Sequence, residues 1–476
     1  MPVSASALDI LIFIAFFVVN VVVGFRVRGK SQTFREYAVG NKKFSTATLT
    51  ATIVATWVSG SVFFYSIEQT YSKGLYYILA LPGIPAGQLI IAYLVGPRMG
   101  KFMHNISVPE VLGELYGKTV QFIIALSSVL YSVGFISIQF KVISQVLVIL
   151  FGYKGLEVPI ISATLVILYS TFGGVKAVTF TDVVQFFTFG SFLPVFALVI
   201  WGYLPAPGEQ VGYLLNTSPF FSLREVIDWT PEFMGTVALL CYFMTTPSLP
   251  PQLFQRMVMA RDTTQLKQAF TYAAVLIALM LVIIVWVSIL LLADHPGLAP
   301  NQVVDYMVNK YTYPGLKGLL GVGVIALAMS TADSLLNSCA VLMANDMLPM
   351  VASKPQNALK IAKRSTFVLG FSALLMDLQV QNLLQLLLLT ANFYIPIVAV
   401  PIALTIFGFQ TSKRVVFMAI ATGFVVTATC LFYFKSVNSF FPGMLANLGV
   451  MLGAHYGLGE RGGWGYNPRK KPIEFA

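Results

Sequence analysis

The residues most able to do chemistry are Ser330-Thr331-Ala332-Asp333-Ser334, set in the middle of a long apolar stretch. The flanks, Gly321–Met329 and Leu335–Met343, consist almost wholly of residues that belong in hydrocarbon. A carboxylate and three hydroxyls at that depth are costly unless something satisfies them, so an intramembrane ionisable group reads as an ion path, a proton relay or a ligand site. On a helix, Ser330, Asp333 and Ser334 fall at i, i+3 and i+4 and share one face. That face offers oxygen and neither nitrogen nor sulfur, which suits a hard cation.

The elements that must position this face are membrane helices. The chain has 476 residues, 57% hydrophobic and 10% charged. A soluble domain carries about 25% charged residues. The class is a polytopic all-α membrane protein. Apolar runs of about 17–25 residues read as spans, and thirteen are expected, near 8–25, 46–71, 76–96, 120–151, 157–173, 180–203, 232–247, 267–293, 316–345, 364–378, 383–408, 413–434 and 438–457. The run 364–378 is the weakest, being short and ending at Asp377.

The first run has no Lys or Arg before it and Arg26, Arg28 and Lys30 after it. A signal peptide carries its positive charge in front, so this is a retained helix with its N-terminus outside. Most of the 30 basic residues then fall in alternate segments, among them Lys42, Lys43, Arg98, Lys101, Lys176, Arg256, Arg261, Lys413 and Arg414. This is the positive-inside pattern, with the C-terminus cytoplasmic, and it accounts for the net charge of +11 without nucleic acid. A bacterial inner membrane is the expected location. Cys241, Cys339 and Cys430 lie within apolar spans and read as small hydrophobes. No nucleophile–base pair occurs at membrane depth, so an enzyme is not expected.

Two spans look interrupted. The second holds Ala55-Thr56-Trp57-Val58-Ser59-Gly60-Ser61, and the seventh holds Thr245-Thr246-Pro247-Ser248-Leu249-Pro250-Pro251. Small, polar and proline residues open a helix and present backbone carbonyls. The two are five spans apart, as the first helices of two five-span repeats would be. The plainer alternative is a proline kink plus a packing seam of small residues.

Between the fifth and sixth spans runs Gly173–Gln185, GGVKAVTFTDVVQ. Its glycines permit a tight turn, and Thr181 is placed to cap the next helix with Asp182 in the first turn. Asp182 is then either a helix-start carboxylate or a second acidic ligand. Ser107-Val108-Pro109-Glu110 has capping-box spacing and should start a short helix. Gln139 and Lys141 are unusual for a fourth span; Lys141 either lines an inner cavity or snorkels.

The runs GGVKAVTFTDVVQ, LAMSTADSLLNS and SVPEVLGELYG, with the Gln255-Arg256 pair, resemble the sodium/solute symporter family over roughly residues 8–457. The resemblance implies a LeuT-like five-plus-five inverted repeat in one transmembrane domain. Repeat one would span about 46–203 and repeat two about 232–408, with extra helices at 8–25, 413–434 and 438–457. It implies a common sodium site made by the carbonyls of Ala55, Val58 and Leu327 and the hydroxyls of Ser330 and Thr331. Some members bind a second sodium, which here would use Asp182, Asp333 and Ser334; Asp333 stands where the sialic acid carriers have serine. Solute would bind between the second and seventh spans, with Trp57, Ser59, Ser61, Tyr65, Glu68, Phe243 and Thr246 as candidates. Proline carriers have an acidic residue where this chain has Trp57. The expected function is sodium-coupled uptake of a small polar organic solute: an amino acid, a sugar or an organic acid. Its rivals are proton coupling through Asp333 and a transporter-like sensor working with a separate kinase, which the short basic tail Arg461–Ala476 does not favour.

Overall fold

The computed structural model describes residues 5–27, 33–152, 155, 157–244, 248–351, 357–379, 383–433 and 439–465. Almost all of them are helical. In chain order the helices are α1 (Ala7–Val27), α2 (Phe34–Val39), α3 (Thr46–Trp57), α4 (Gly60–Lys73), α5 (Leu75–Ile78), α6 (Gly83–Ile90) and α7 (Val108–Tyr116). Next come α8 (Lys118–Phe151), α9 (Glu157–Tyr203), α10 (Pro207–Thr217), α11 (Leu223–Val226), α12 (Pro231–Met244), α13 (Pro251–Val258) and α14 (Thr263–Asp294). The remainder are α15 (Val303–Tyr311), α16 (Leu316–Leu342), α17 (Leu348–Val351), α18 (Ala358–Gln379), α19 (Leu383–Ile406), α20 (Lys413–Phe432) and α21 (Phe440–Gly457). Two short strands, Phe409–Gln410 and Gly463–Trp464, pair antiparallel.

Helix α16 is the axis of the molecule. Every residue named from Gly321 to Leu342 is buried, and it packs against α8, α9, α1 and α18. A helix apolar on all sides belongs inside a bundle, and the polar residues that interrupt it must therefore find partners within the protein. By contrast α1 presents Leu11, Ile14 and Val18 outward, each about half exposed or more, as a lipid-facing helix does.

Among the described residues, seven helices are long and apolar enough to cross a membrane, and the α3–α4 pair, bent by 55°, makes an eighth. The thirteen expected runs all carry helix, but length and hydropathy do not by themselves reach that number. The shortfall has physical causes. The helix of the seventh run, α12, has only 14 residues, and α18 is weakly apolar because its first turns carry Lys360, Lys363 and Arg364.

The turn expected at Gly173-Gly174 is present as a break within α9: Gly174 has φ 63° and ψ −179°, a conformation open essentially to glycine alone. A Cβ there would also sit 2.6 Å from the Tyr37 ring. The helix resumes at Gly174, so Thr181 is not its cap. Its hydroxyl donates back to the carbonyls of Ala177 and Val178. Asp182 is accordingly two turns inside the helix and fully buried, which removes the helix-start reading. The expected cap at Ser107 is in place: its hydroxyl accepts from the Glu110 amide at 3.0 Å, and the Glu110 carboxylate accepts from the Ile106 amide at 2.7 Å.

Candidate ion and solute site

The site begins where α3 stops. The Val58 amide closes the last turn on the Val54 carbonyl at 2.8 Å, after which Val58 (ψ 87°) and Ser59 (ψ 165°) leave the helix. Ser59 then caps α4 by accepting from the Val62 amide at 3.1 Å. Gly60 lets this break press against its neighbours: a Cβ there would lie 2.7 Å from Val142 Cγ1 and 3.0 Å from Ala328 Cβ. The carbonyls of the last α3 turn thus face α16 without helical partners.

Helix α16 meets them with hydroxyls. Ser330 Oγ donates to the Ala55 carbonyl at 2.7 Å and to Leu327 at 3.0 Å. Thr331 Oγ1 lies 3.2 Å from both the Thr56 and Leu327 carbonyls. All five residues are buried. Each hydroxyl keeps acceptor lone pairs while its proton rotates, so this knot of uncharged oxygens fits a small hard cation. Ala55, Leu327, Ser330 and Thr331 come together as expected. Thr56, absent from the expected ligands, joins them.

A second knot lies one turn along. Asp182 from α9 and Arg256 from α13 form an ion pair of 3.0 Å with both side chains completely excluded from solvent. Asp182 Oδ2 also accepts from the Thr52 hydroxyl of α3. Arg256 Nη2 donates in addition to Ser334 Oγ, and Ser334 Oγ lies 3.1 Å from Thr56 Oγ1. Asp333 Oδ1 accepts from Ser170, on the other segment of α9. The neighbouring Gln255 Nε2 donates to the Ala38 carbonyl at 2.6 Å and to Asn337 Oδ1 at 2.8 Å. Gln255-Arg256 therefore ties α13 to α2, α9 and α16.

The solute candidates divide. Ser59 and Ser61 are hydrogen-bonded to each other at 2.8 Å, and Gln139 of α8 donates to Ser61 at 3.2 Å. Tyr65 packs edge-on to Tyr77 at 5.5 Å, and Tyr77 bonds Ser66 at 2.9 Å. Trp57, Glu68 and Phe243 are half-buried, with the Phe243 ring 5.7 Å from Tyr242. Thr246 lies outside the described residues. Beyond that segment the backbone leaves helical geometry at Leu249 (φ 54°) and Pro250 (ψ 154°), so α12 and α13 flank the second interruption. Lys141 pairs with Asp377 near the end of α18, at 3.7 Å.

Sequence reasoning passed over Thr52, Thr56 and Ser170, which are ordinary residues in helices, and it missed that Arg256 reaches Asp182. No local signal marked the last, because Arg256 and Asp182 lie 74 residues apart and Arg256 reads as one more basic residue of the inside segments.

A bundle whose centre is a broken helix joined by backbone carbonyls to hydroxyls on a buried helix is the architecture of a secondary transporter. The sodium:solute symporter family model matches residues 37–423, and the chain belongs to that family. A putative sodium-dependent multivitamin transporter of Drosophila melanogaster is 21% identical over 375 residues, covering 74% of this chain and 61% of that protein. Among solved structures, a sodium-coupled sialic acid symporter superposes with a TM-score of 0.84 at 16% identity, covering 94% of this chain and 96% of its own. Mhp1, a nucleobase-cation-symport-1 family transporter, gives 0.56 at 16% identity over 87% and 92% of the two chains. MhsT, solved with L-phenylalanine, gives 0.55 at 16% identity over 86% and 98%. The fold is LeuT-like, and the family and these neighbours are transporters rather than enzymes.

Proposed function

We propose that this protein couples the inward flow of sodium to uptake of a small polar organic solute by alternating access. The observation that carries the reading is the contact of Ser330 and Thr331 with the carbonyls of Ala55, Thr56 and Leu327. Sodium bound among these oxygens would tie the broken α3–α4 helix to α16. It would thereby organise the cavity beside Trp57, Ser59, Ser61, Tyr65, Glu68 and Phe243, where solute binds. The Val58 carbonyl, at the end of α3, is the remaining ligand that the family resemblance supplies. Each positive charge moving down an inside-negative potential contributes ~2.3 kcal/mol per 100 mV, before the concentration gradient is added. The N-terminus lies outside and the C-terminus in the cytoplasm, following the distribution of basic residues.

The test is the melting temperature of the purified protein in sodium against potassium at equal ionic strength. A ligand that binds only the folded state raises the transition by mass action. The reading expects a sodium-specific rise that Ser330→Ala abolishes. Equal melting in both salts across a wide range would refute it and leave proton coupling to be examined by titrating pH.

A further inference from the structure

Helix α4 has two unlike faces. Phe63, Ile67, Thr70 and Tyr71 are buried, and the Ile67 carbonyl accepts from Ser288 of α14 at 2.8 Å. Ser61, Tyr65, Glu68 and Ser72 are only half-buried, and their spacing puts them in one stripe. All four are polar, as a face turned to lipid is not. The stripe begins at the α3–α4 break, where Ser61 bonds Ser59 and accepts from Gln139 of α8, and Glu68 lies two turns further on. A carboxylate within a membrane bundle that is open on one side faces a water-filled path, and this path leads to the solute cavity.

The two strongest acceptors along the stripe are unengaged. Among the described residues, no ion pair or hydrogen bond reaches the Glu68 carboxylate. Gln139 is 0% exposed, and its Oε1 has no hydrogen-bond partner. The basic residues closest to these two in sequence are turned elsewhere: Lys141 pairs with Asp377 of α18, and Lys73 is exposed at the end of α4. A solute carboxylate entering here meets a like charge. A solute ammonium meets a charge partner in Glu68 and, one turn away, the ring of Tyr65, whose face attracts cations.

We infer that the transported solute carries a protonated amine, that Glu68 is its charge partner, and that Gln139 Oε1 accepts from a further N–H or O–H of the same solute. The inference rests on the sodium-coupled reading and narrows its solute class. Amino acids and other amines remain, while sugars and organic acids without an amine are excluded. Gln139 becomes a binding residue on α8, contributed from outside the two interrupted spans.

The experiment measures the melting temperature of the intact purified chain in saturating sodium, with the common amino acids, putrescine, lactate, succinate and glucose added in turn. One or more amine-bearing probes should raise it, and lactate, succinate and glucose should not. The N-acetyl derivative of the responding amine should give no rise. For that amine, Glu68→Gln and Gln139→Leu should each weaken binding by about tenfold or more, and Glu68→Asp, which keeps the charge, should bind it more tightly than Glu68→Gln. Should a variant fail to fold, the wild-type comparison of the amine with its N-acetyl derivative still decides. A rise with lactate, succinate or glucose, no rise with any amine, or unchanged affinity in Glu68→Gln would overturn the inference. The sodium-against-potassium shift without solute is read separately: its absence would refute the sodium reading, and the response to amines is then scored in both salts.

Discussion

At the residue scale, two kinds of polar group coexist in the core of the bundle and behave differently. Ser330 and Thr331 are neutral and hold backbone carbonyls; Asp182 and Arg256 are charged and hold each other. Removing one Ser330 hydroxyl takes away a ligand without stranding a charge. Ser330→Ala should therefore fold normally and weaken sodium binding by more than tenfold, ~1.4 kcal/mol per tenfold, so that the thermal shift is absent at sodium concentrations that saturate wild type. Asp182→Asn instead leaves Arg256 buried without its carboxylate, and breaking a buried pair from one side costs ~3–5 kcal/mol. A large fall in melting temperature is expected in either salt, partly restored when Arg256→Gln is added. Equal stability of the single and double variants would contradict the pairing seen at 3.0 Å. Much of this chemistry was legible in the sequence. Asp333, Ser330 and Ser334 stand out because hydrocarbon surrounds them. The Asp182–Arg256 pair was not legible, because its members are 74 residues apart and only the tertiary arrangement of α9 and α13 brings them together.

At the element scale, the site depends on two breaks and on the close packing that holds them. Gly60 is one such contact: Gly60→Ala would press a methyl into Val142 and Ala328. Overpacking of that kind typically costs ~1–3 kcal/mol, and because it pushes α4 from α16 it should reduce the sodium-specific thermal shift as well as the melting temperature. A variant with wild-type values of both would show that the contact has room to relax. Gly174→Ala meets both a backbone region closed to alanine and the Tyr37 ring, so it should yield little folded protein. The interruptions were legible as Ser-Gly-Ser and as a cluster of prolines. The restart of the helix at Gly174 was misjudged, since threonine followed by aspartate reads as a cap and first turn when only local sequence is considered. In the structure the break is set by the glycine's positive φ, and Thr181 is satisfied by its own helix.

At the scale of the whole molecule, hydropathy and the loop charges established a helical membrane protein, and the fold bears that out. The individual span boundaries were less legible. α12 has only 14 residues and α18 carries basic residues in its first turns, so neither reads as a full apolar span by length and hydropathy. The proposed orientation rests on the charge pattern and can be checked on a background in which Cys241, Cys339 and Cys430 are replaced. Cysteine placed at Arg224 should react with an impermeant thiol reagent added to intact cells. Cysteine at Lys101 should react only after the membrane is opened. The reverse pattern would invert the assigned topology.

The central claim is that sodium flow drives solute accumulation. The most direct measurement is uptake into proteoliposomes holding the purified chain, under an inside-negative potential, with candidate amino acids, sugars and organic acids supplied outside. The account predicts that at least one of these solutes is concentrated only when sodium is present outside, and that Ser330→Ala abolishes the concentration step. Accumulation driven equally well by a proton gradient in sodium-free medium, and unaffected by Ser330→Ala, would contradict it.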